Sequence, residues 1–409
     1  MAQTMKKANS ILAIALLVVM TRCGGGDQSS DDLIIVDVTK NYSKKKELIL
    51  QDFMDVEYIK LETNDDFLNQ GIVADVGKEI ILVTNQIRDG DIFVYDRTGK
   101  ALRKINRKGQ KISEEYTSIF SIILDEDNEE MFINDVNIKK IYVYDLFGNF
   151  KRSFDHKENV NYQCYTSIFN YDSNNLICYD DAVEAGFNLI SKKDGSIKKE
   201  INIQFKKKKY LRQLQPSSGN ENISVDRQIP SGFVYGGTMV VPPGSYTSII
   251  PYFNNWILLE YSSDTIYQFL PDLSLRPFIV RIPSIQSMTP EIMLILTFFS
   301  ERFLFFETVK NEYDFIKKSG FPRTYFMYDK NEKVFSQYIL YSSDYSTKKE
   351  IYLNRLKPVN HDIESWQPLQ SFQLVDDYKK GILKGQLKEI ASKLDEEDNP
   401  VVMLIKHKM

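Results

Sequence analysis

The chain has 409 residues, and its 52 Lys and Arg are outnumbered by 56 Asp and Glu, for a net charge of −4. That balance argues against a nucleic-acid binder, which concentrates basic charge on one face. Hydrophobic residues make up 43% of the chain, enough for a sizeable core, while three cysteines and three histidines offer little material for a disulfide framework or a histidine metal centre.

The first 22 residues have the layout of a targeting segment. Lys6 and Lys7 precede a ten-residue apolar run, Ile11–Met20. Such a run is too short to span a bilayer and suits a signal peptide. Met5 is an alternative start. Met20-Thr21-Arg22-Cys23 followed by Gly24-Gly25-Gly26 resembles a bacterial lipoprotein signal. The expectation is a signal peptide over 1–22, lipid attachment at Cys23 and a flexible tether over 23–32. Arg22 departs from the small residue that such a signal wants before its cysteine, and a plain secretory signal with an incidental Cys23 is the alternative. Loss of Lys6, Lys7 and Arg22 leaves 49 basic against 56 acidic residues, a net charge of −7.

Residues 33–409 are expected to form one domain. Leu33–Val38 and Asp52–Thr63 are strand-like. A repeat then begins. Ile92-Phe93-Val94-Tyr95-Asp96-Arg97-Thr98-Gly99 returns 49 residues later as Ile141-Tyr142-Val143-Tyr144-Asp145-Leu146-Phe147-Gly148. Each copy sits within four short strands bounded by Asp, Asn or Gly, and the Asp-x-x-Gly ending supplies a turn whose Gly can take positive φ. Four strands in about 40–50 residues make one propeller blade. Looser copies follow at Phe187–Ile190, Thr265–Phe269 and Tyr325–Asp329, the last with Asn331 in the place of the Gly. Blades one to three occupy about 64–205. An insertion at about 206–245 opens with Lys206-Lys207-Lys208-Lys209, read either as a solvated loop edge or as a holder of an anionic partner. Blade four covers about 246–282. Thr289-Pro290-Glu291 has the form of a helix start, and Phe303–Glu307 with Tyr325–Tyr328 begins blade five. Val375, Tyr378, Ile382, Leu383, Leu387, Ile390 and Leu394 recur at helical spacing, weakened by Gly381 and Gly385. The final run Val401–Ile405 is expected to share the closing blade with an N-terminal strand, which leaves no open edge.

Several passages together resemble the six-bladed β-propeller lipoproteins of Bacteroides-type bacteria, which are distantly similar to NHL-repeat propellers. They are Asp55–Thr63, Ile92–Ile105 with Arg107-Lys108-Gly109-Gln110, Asn360-His361-Asp362-Ile363 with Trp366 and Pro368, and Asp395–Val402. The resemblance covers roughly 33–406. It implies an all-β, six-bladed propeller of four-stranded antiparallel blades and an address at the outer membrane of the cell envelope. It implies no reaction.

No catalytic constellation is assembled in the sequence. His156, His361 and His407 are far apart, and His361 beside Asp362 is the best single candidate, with a structural role preferred. Cys164 and Cys178 flank a hairpin and are read either as two thiols or as a disulfide. Asp125–Glu130 has the composition of a cation loop but lacks its Gly and its final bidentate Glu, so it is expected to be a turn. No cofactor, metal ligand or catalytic residue is assigned. The expected function is a lipid-anchored, monomeric, non-catalytic binding module for an envelope protein, peptide or glycan. The alternatives are an enzyme (hydrolase, lactonase or lyase) with its site at the propeller axis, and a scaffold subunit.

Overall fold

The computed structural model describes residues 33–408 except 86–88, 110, 112, 157–163, 181–185, 210, 215–226, 230–231, 236–237, 242–246, 315–318, 354–355, 357 and 359–364. Cys23, the signal segment, the tether, His361 and Asp362 lie outside the described residues.

Three strands precede the blades: β1 (Ile34–Asp37), β2 (Lys45–Ile49) and, after a single helical turn α1 (Leu50–Phe53), β3 (Met54–Lys60). Blade one is β4 (Ile72–Val76), β5 (Ile80–Thr84), β6 (Asp91–Asp96) and β7 (Ala101–Asn106). Blade two is β8 (Ser121–Asp125), β9 (Glu130–Asp135), β10 (Lys140–Asp145) and β11 (Phe150–Asp155). Blade three is β12 (Tyr165–Asn170), β13 (Asn175–Asp180), β14 (Gly186–Ser191) and β15 (Ile197–Ile201). A separate sheet follows, made of β16 (Leu211–Leu214), β17 (Arg227–Ile229), β18 (Gly232–Tyr235) and β19 (Thr238–Val241) in the order β16-β19-β18-β17. Blade four is β20 (Ile249–Tyr252), β21 (Asn255–Leu258), β22 (Thr265–Phe269) and β23 (Leu275–Ile282). Blade five is β24 (Ile292–Phe299), β25 (Phe303–Lys310), β28 (Arg323–Asp329) and β29 (Val334–Tyr341), with a small ladder of β26 (Tyr313–Asp314) and β27 (Ser319–Gly320) between its second and third strands. The closing blade holds β30 (Ser365–Leu369) and β31 (Val401–His407), separated by helices α2 (Ser371–Lys379) and α3 (Gly385–Ala391). The fold is thus a six-bladed β-propeller.

The two chain ends meet in the closing blade, where β3 pairs antiparallel with β31 from Met54↔His407 to Lys60↔Val401. Among the described residues this blade has three strands, in the order β3-β31-β30. The other two N-terminal strands go elsewhere. β1 joins the outer edge of blade four beside β23, and β2 adds a parallel fifth strand to blade five beside β29. The N-terminal segment therefore seals blades four, five and six in turn. Edge coverage of this kind removes unpaired backbone groups from the rim.

A repeated contact fixes each blade against the next. The Asp-x-x-Gly turns behave as expected: Asp96 accepts from the backbone N–H of Thr98 and Lys100, and Asp145 from those of Phe147 and Asn149, at 2.8–3.0 Å. Gly148, at φ +85°, lies so close to the last strand of blade one that a Cβ there would sit 2.6 Å from Ile105 Cγ2. Gly99, at φ +87°, lies likewise on Lys60, whose carbonyl oxygen would be 2.1 Å from such a Cβ. Lys60 ends β3, so the N-terminal strand occupies the outer place in the closing blade that β7 and β11 occupy in theirs. In blade five the left-handed position falls on Lys333 (φ +53°) rather than on Asn331, because Asp329 accepts from the N–H groups of both Asn331 and Glu332 and carries the turn further.

The core is a series of layers between blades. Leu82, Val94, Ile122, Met131, Tyr142 and Tyr144 fill one between blades one and two. Ile177, Tyr179, Phe187, Trp256, Leu258 and Phe269 fill another between blades three and four. Many of the aromatic residues are spent here, as blade packing demands. Helices α2 and α3 put Leu374, Val375, Leu387 and Ala391 onto the layer between blades five and six, with Gly381 at φ +69° separating them. The helical spacing near the C-terminus is therefore confirmed as two short helices. The helix expected after Thr289 is absent: Ile292–Phe299 is β24, whose buried apolar residues face both sides of the blade, and Pro290 lies just outside it.

Candidate functional site

Strand direction separates the two faces of the propeller. In each meander the connection to the next blade and the loop between second and third strands fall on one face. The opposite face carries the tight first and third turns. The crowded face therefore holds the inserted sheet β16–β19 and the helical excursion α2–α3. Binding residues concentrate on such loops over a rigid scaffold.

The axis opens into a cleft on the side of blades four to six. Its lining includes Thr247, Ile250 and Pro251 from blade four, Leu296, Thr297 and Phe299 from β24, with Leu356, Pro358 and Ser365 from the approach to the closing blade. About 20 Å³ is open to the centre of a water molecule, room for one or two waters. The lining has aliphatic and aromatic groups, three hydroxyls and no charged side chain. Thr297 Oγ1 donates to the Phe305 carbonyl at 3.1 Å, which fixes one of those hydroxyls on the wall.

A polar cluster lies on the crowded face, at the root of the insertion. Lys208 Nζ is 2.6 Å from Glu260 Oε2 and 3.0 Å from the Tyr179 hydroxyl, and that hydroxyl donates to Glu260 Oε2 at 2.6 Å. Glu260 Oε1 accepts from the Ser262 N–H at 2.9 Å. The rings of Tyr179, Phe205 and Tyr261 stand 5.3–5.6 Å from the ammonium. Both charged side chains are at most 3% exposed. Lys208 is thus not part of a solvated loop edge. It is sunk between blades three and four, and Lys209 is tied to Glu291 at 2.9 Å. The run Lys206–Lys209 is uniform in sequence, but the fold leaves Lys206 and Lys207 exposed and buries Lys208. Here the cluster closes on itself, so its evident role is to anchor the insertion.

The remaining candidates have structural roles. His156 is buried between blades two and three, with Nε2 2.9 Å from Asn134 Oδ1 and Nδ1 accepting from the Tyr165 N–H at 3.3 Å. Burial pushes its pKa down to about 4, against the pull of Asp135. His407 ends β31 and stacks on Phe253, 4.9 Å between ring centroids. The two histidines are not brought together. Cys164 and Cys178 are both thiols, and burial raises the Cys178 pKa. Asp125–Glu130 is a turn, with a 3-10 segment Glu126–Asn128 and Glu129 in the left-handed region. Its Glu126 carboxylate accepts from the N–H groups of Lys78, Glu79 and Ile80 at 2.6–3.0 Å, pinning the first turn of blade one. Asn399, within the exit motif, is 1% exposed and bonds Asn69, Glu62 and Phe67, so that motif locks the closing blade to blade one. Among the described residues no three His, Cys, Asp or Glu side chains converge to hold a metal, and no helix is long and apolar enough to cross a membrane.

Comparison with known proteins agrees with this architecture. A protein from Bacteroides fragilis described as exported has a structure similar over 92% of this chain and 99% of its own, with a TM-score of 0.55 at 16% identity. A DUF4221 family member from Bacteroides vulgatus aligns over 88% of this chain and 100% of its own at 9% identity and a TM-score of 0.43. Virginiamycin B lyase from Staphylococcus aureus aligns over 87% and 100% at 11% identity and a TM-score of 0.37. At 16% identity the likeness to the B. fragilis protein shows a fold and no activity. No curated protein matches the chain. The match to a family spans residues 33–406, nearly every blade strand from β1 to β31, and the chain belongs to that family, described as a domain of unknown function (DUF4934).

Proposed function

We propose that the protein is a lipid-anchored binding module of the cell envelope whose axial cleft takes a small uncharged group, of methyl or hydroxyl size, from a peptide or glycan. The observation that carries the reading is the cleft lining, in which apolar walls are combined with the hydroxyls of Thr247, Thr297 and Ser365 and with no charge. A few placed polar groups on an apolar wall orient a ligand without the desolvation cost of an ion. The cleft opens between three blades, so a ligand there contacts elements far apart in sequence.

The envelope address is supported by Lys6, Lys7, Ile11–Met20 and Cys23, and by the exported B. fragilis neighbour. Labelled palmitate incorporation tests it: loss of label in Cys23→Ala is expected, and unchanged label refutes the anchor. Melting temperature measured across panels of neutral glycans and peptides tests the cleft, because a ligand that binds only the folded state must raise it. Thr297→Phe fills the cleft and should abolish the shift. A shift of full size in that variant places the ligand elsewhere and overturns the proposal.

A further inference from the structure

We propose that the outer edge of blade one, with the turn of blade two lying against it, is a contact surface for an anionic lipid bilayer. The inference rests on the membrane-anchored reading above and adds a second point of attachment.

Residues 97–111 hold Arg97, Lys100, Arg103, Lys104, Arg107, Lys108 and Lys111 and not one Asp or Glu, in a chain whose net charge is −4. The segment is β7 with its flanks. Three of its cations are neutralised: Arg97 by Glu57 at 3.3 Å, Lys104 by Asp91 at 3.1 Å and Lys111 by Glu114 at 2.6 Å. Arg103 and Arg107 form no ion pair among the described residues. The guanidinium carbon of Arg103 stands over the Phe147 ring, 4.4 Å from its centroid. Arg107 is exposed and donates from Nε to the Gly148 carbonyl at 2.7 Å. Phe147, at the tip of the blade-two turn, is 68% exposed, and Phe150 beside it is 36% exposed.

Basic residues on an edge strand have an ordinary purpose, which is to discourage pairing with another chain. That purpose explains Lys104. It does not explain an aromatic ring two-thirds exposed at a turn tip, with the guanidinium of Arg103, which forms no ion pair among the described residues, over its face. Exposed apolar surface is costly and marks a contact. An aromatic ring at a tip enters the headgroup region of a bilayer while the adjacent cations meet anionic heads. A soluble acidic polymer would use the arginines and leave the phenylalanines in water. The acidic remainder of the chain repels an anionic surface, so attraction must come from this patch and must weaken with salt.

Vesicle co-sedimentation of the unlipidated chain from Leu33 onward, which keeps all the described strands, tests the proposal independently of Cys23. The vesicles are phosphatidylcholine alone and phosphatidylcholine with roughly one third phosphatidylglycerol. Binding to the mixed vesicles alone, falling as salt is raised, is expected. Arg103→Glu with Arg107→Glu should cut partition by about 30-fold or more, from about fivefold per basic residue removed. Phe147→Ser should also weaken it, and it leaves the Arg107 bond intact if the double variant folds poorly. Lys40→Glu with Lys44→Glu carries the same charge change on another part of the rim and should leave partition within about twofold. Equal loss in that control, no preference for the anionic vesicles, or full competition by inorganic phosphate at constant ionic strength would each overturn the bilayer surface. Failure here with palmitate label intact at Cys23 removes the second contact and spares the anchor.

Discussion

Acidification should unfasten the layer between blades two and three through a single imidazole. His156 is 4% exposed. Its Nδ1 accepts from the Tyr165 N–H, so the proton must sit on Nε2, which donates to Asn134 Oδ1. Asn134 is held in that orientation because its Nδ2 donates to the Tyr165 carbonyl at 2.8 Å. A second proton on Nδ1 would face an N–H. Desolvation lowers the folded pKa from 6.5 to about 4, with Asp135 and Asp155 opposing and Lys139 assisting. The unfolded chain takes up a proton near 6.5 and the folded chain does not until near 4, so stability is full above 6.5 and is lost as the pH falls through that window. The whole loss is about 3 kcal/mol, and about 2 kcal/mol of it is gone by pH 5. Urea unfolding followed by the fluorescence of Trp256 and Trp366 measures this. His156→Gln is the reference, since its amide can keep both hydrogen bonds and does not titrate. Between pH 7.5 and 5 the wild type should lose about 2 kcal/mol more than the variant, all other carboxylates cancelling in the difference. Parallel pH profiles would show that the imidazole is not held neutral and would refute the argument.

Three further perturbations address the closure, the insertion and the repeat. Asn399→Ala removes bonds to Asn69, Glu62 and Phe67 at 2.6–2.9 Å and leaves buried partners unmade, at a cost of about 3 kcal/mol by denaturant unfolding; a cost under 1 kcal/mol would mean that the exit motif is not the lock. Lys208→Met strands the buried Glu260 and should cost about 3–5 kcal/mol, whereas Lys208→Met with Glu260→Leu should recover most of it; equal losses in single and double variants would contradict a closed ion pair. Gly99→Ala drives a Cβ into the Lys60 carbonyl, while Gly381→Ala meets nothing within 4 Å at a similar positive φ, so thermal unfolding should separate a loss of more than about 2 kcal/mol from one of about 1 kcal/mol.

The blade repeat was legible because its signals are local. Asp96 and Asp145 bond their own turns, and the residues before them alternate toward two buried layers, so composition and period alone place strands and turns. What escaped was decided by partners distant in sequence. Leu33–Val38 and Asp52–Thr63 carry equally good strand signals, yet only the second closes the ring, because β3 must end at Lys60 where Gly99 makes room for it. The first is left to cap blade four, a choice that its own residues do not record. β24 was misread near its start because a Thr-Pro-Glu opening resembles a helix cap, while six of the eight residues of β24 are buried, on both faces, and need no alternation. Lys208 shows the same principle for charge. Four consecutive lysines look solvated, yet the chain turns inward between blades three and four, and Glu260, 52 residues later, supplies the counterion. A buried cation costs free energy unless it is paired, and Glu260 with the Tyr179 hydroxyl supplies that pairing. The start of the insertion is therefore tied to both blades, through Tyr179 of blade three and Glu260 of blade four.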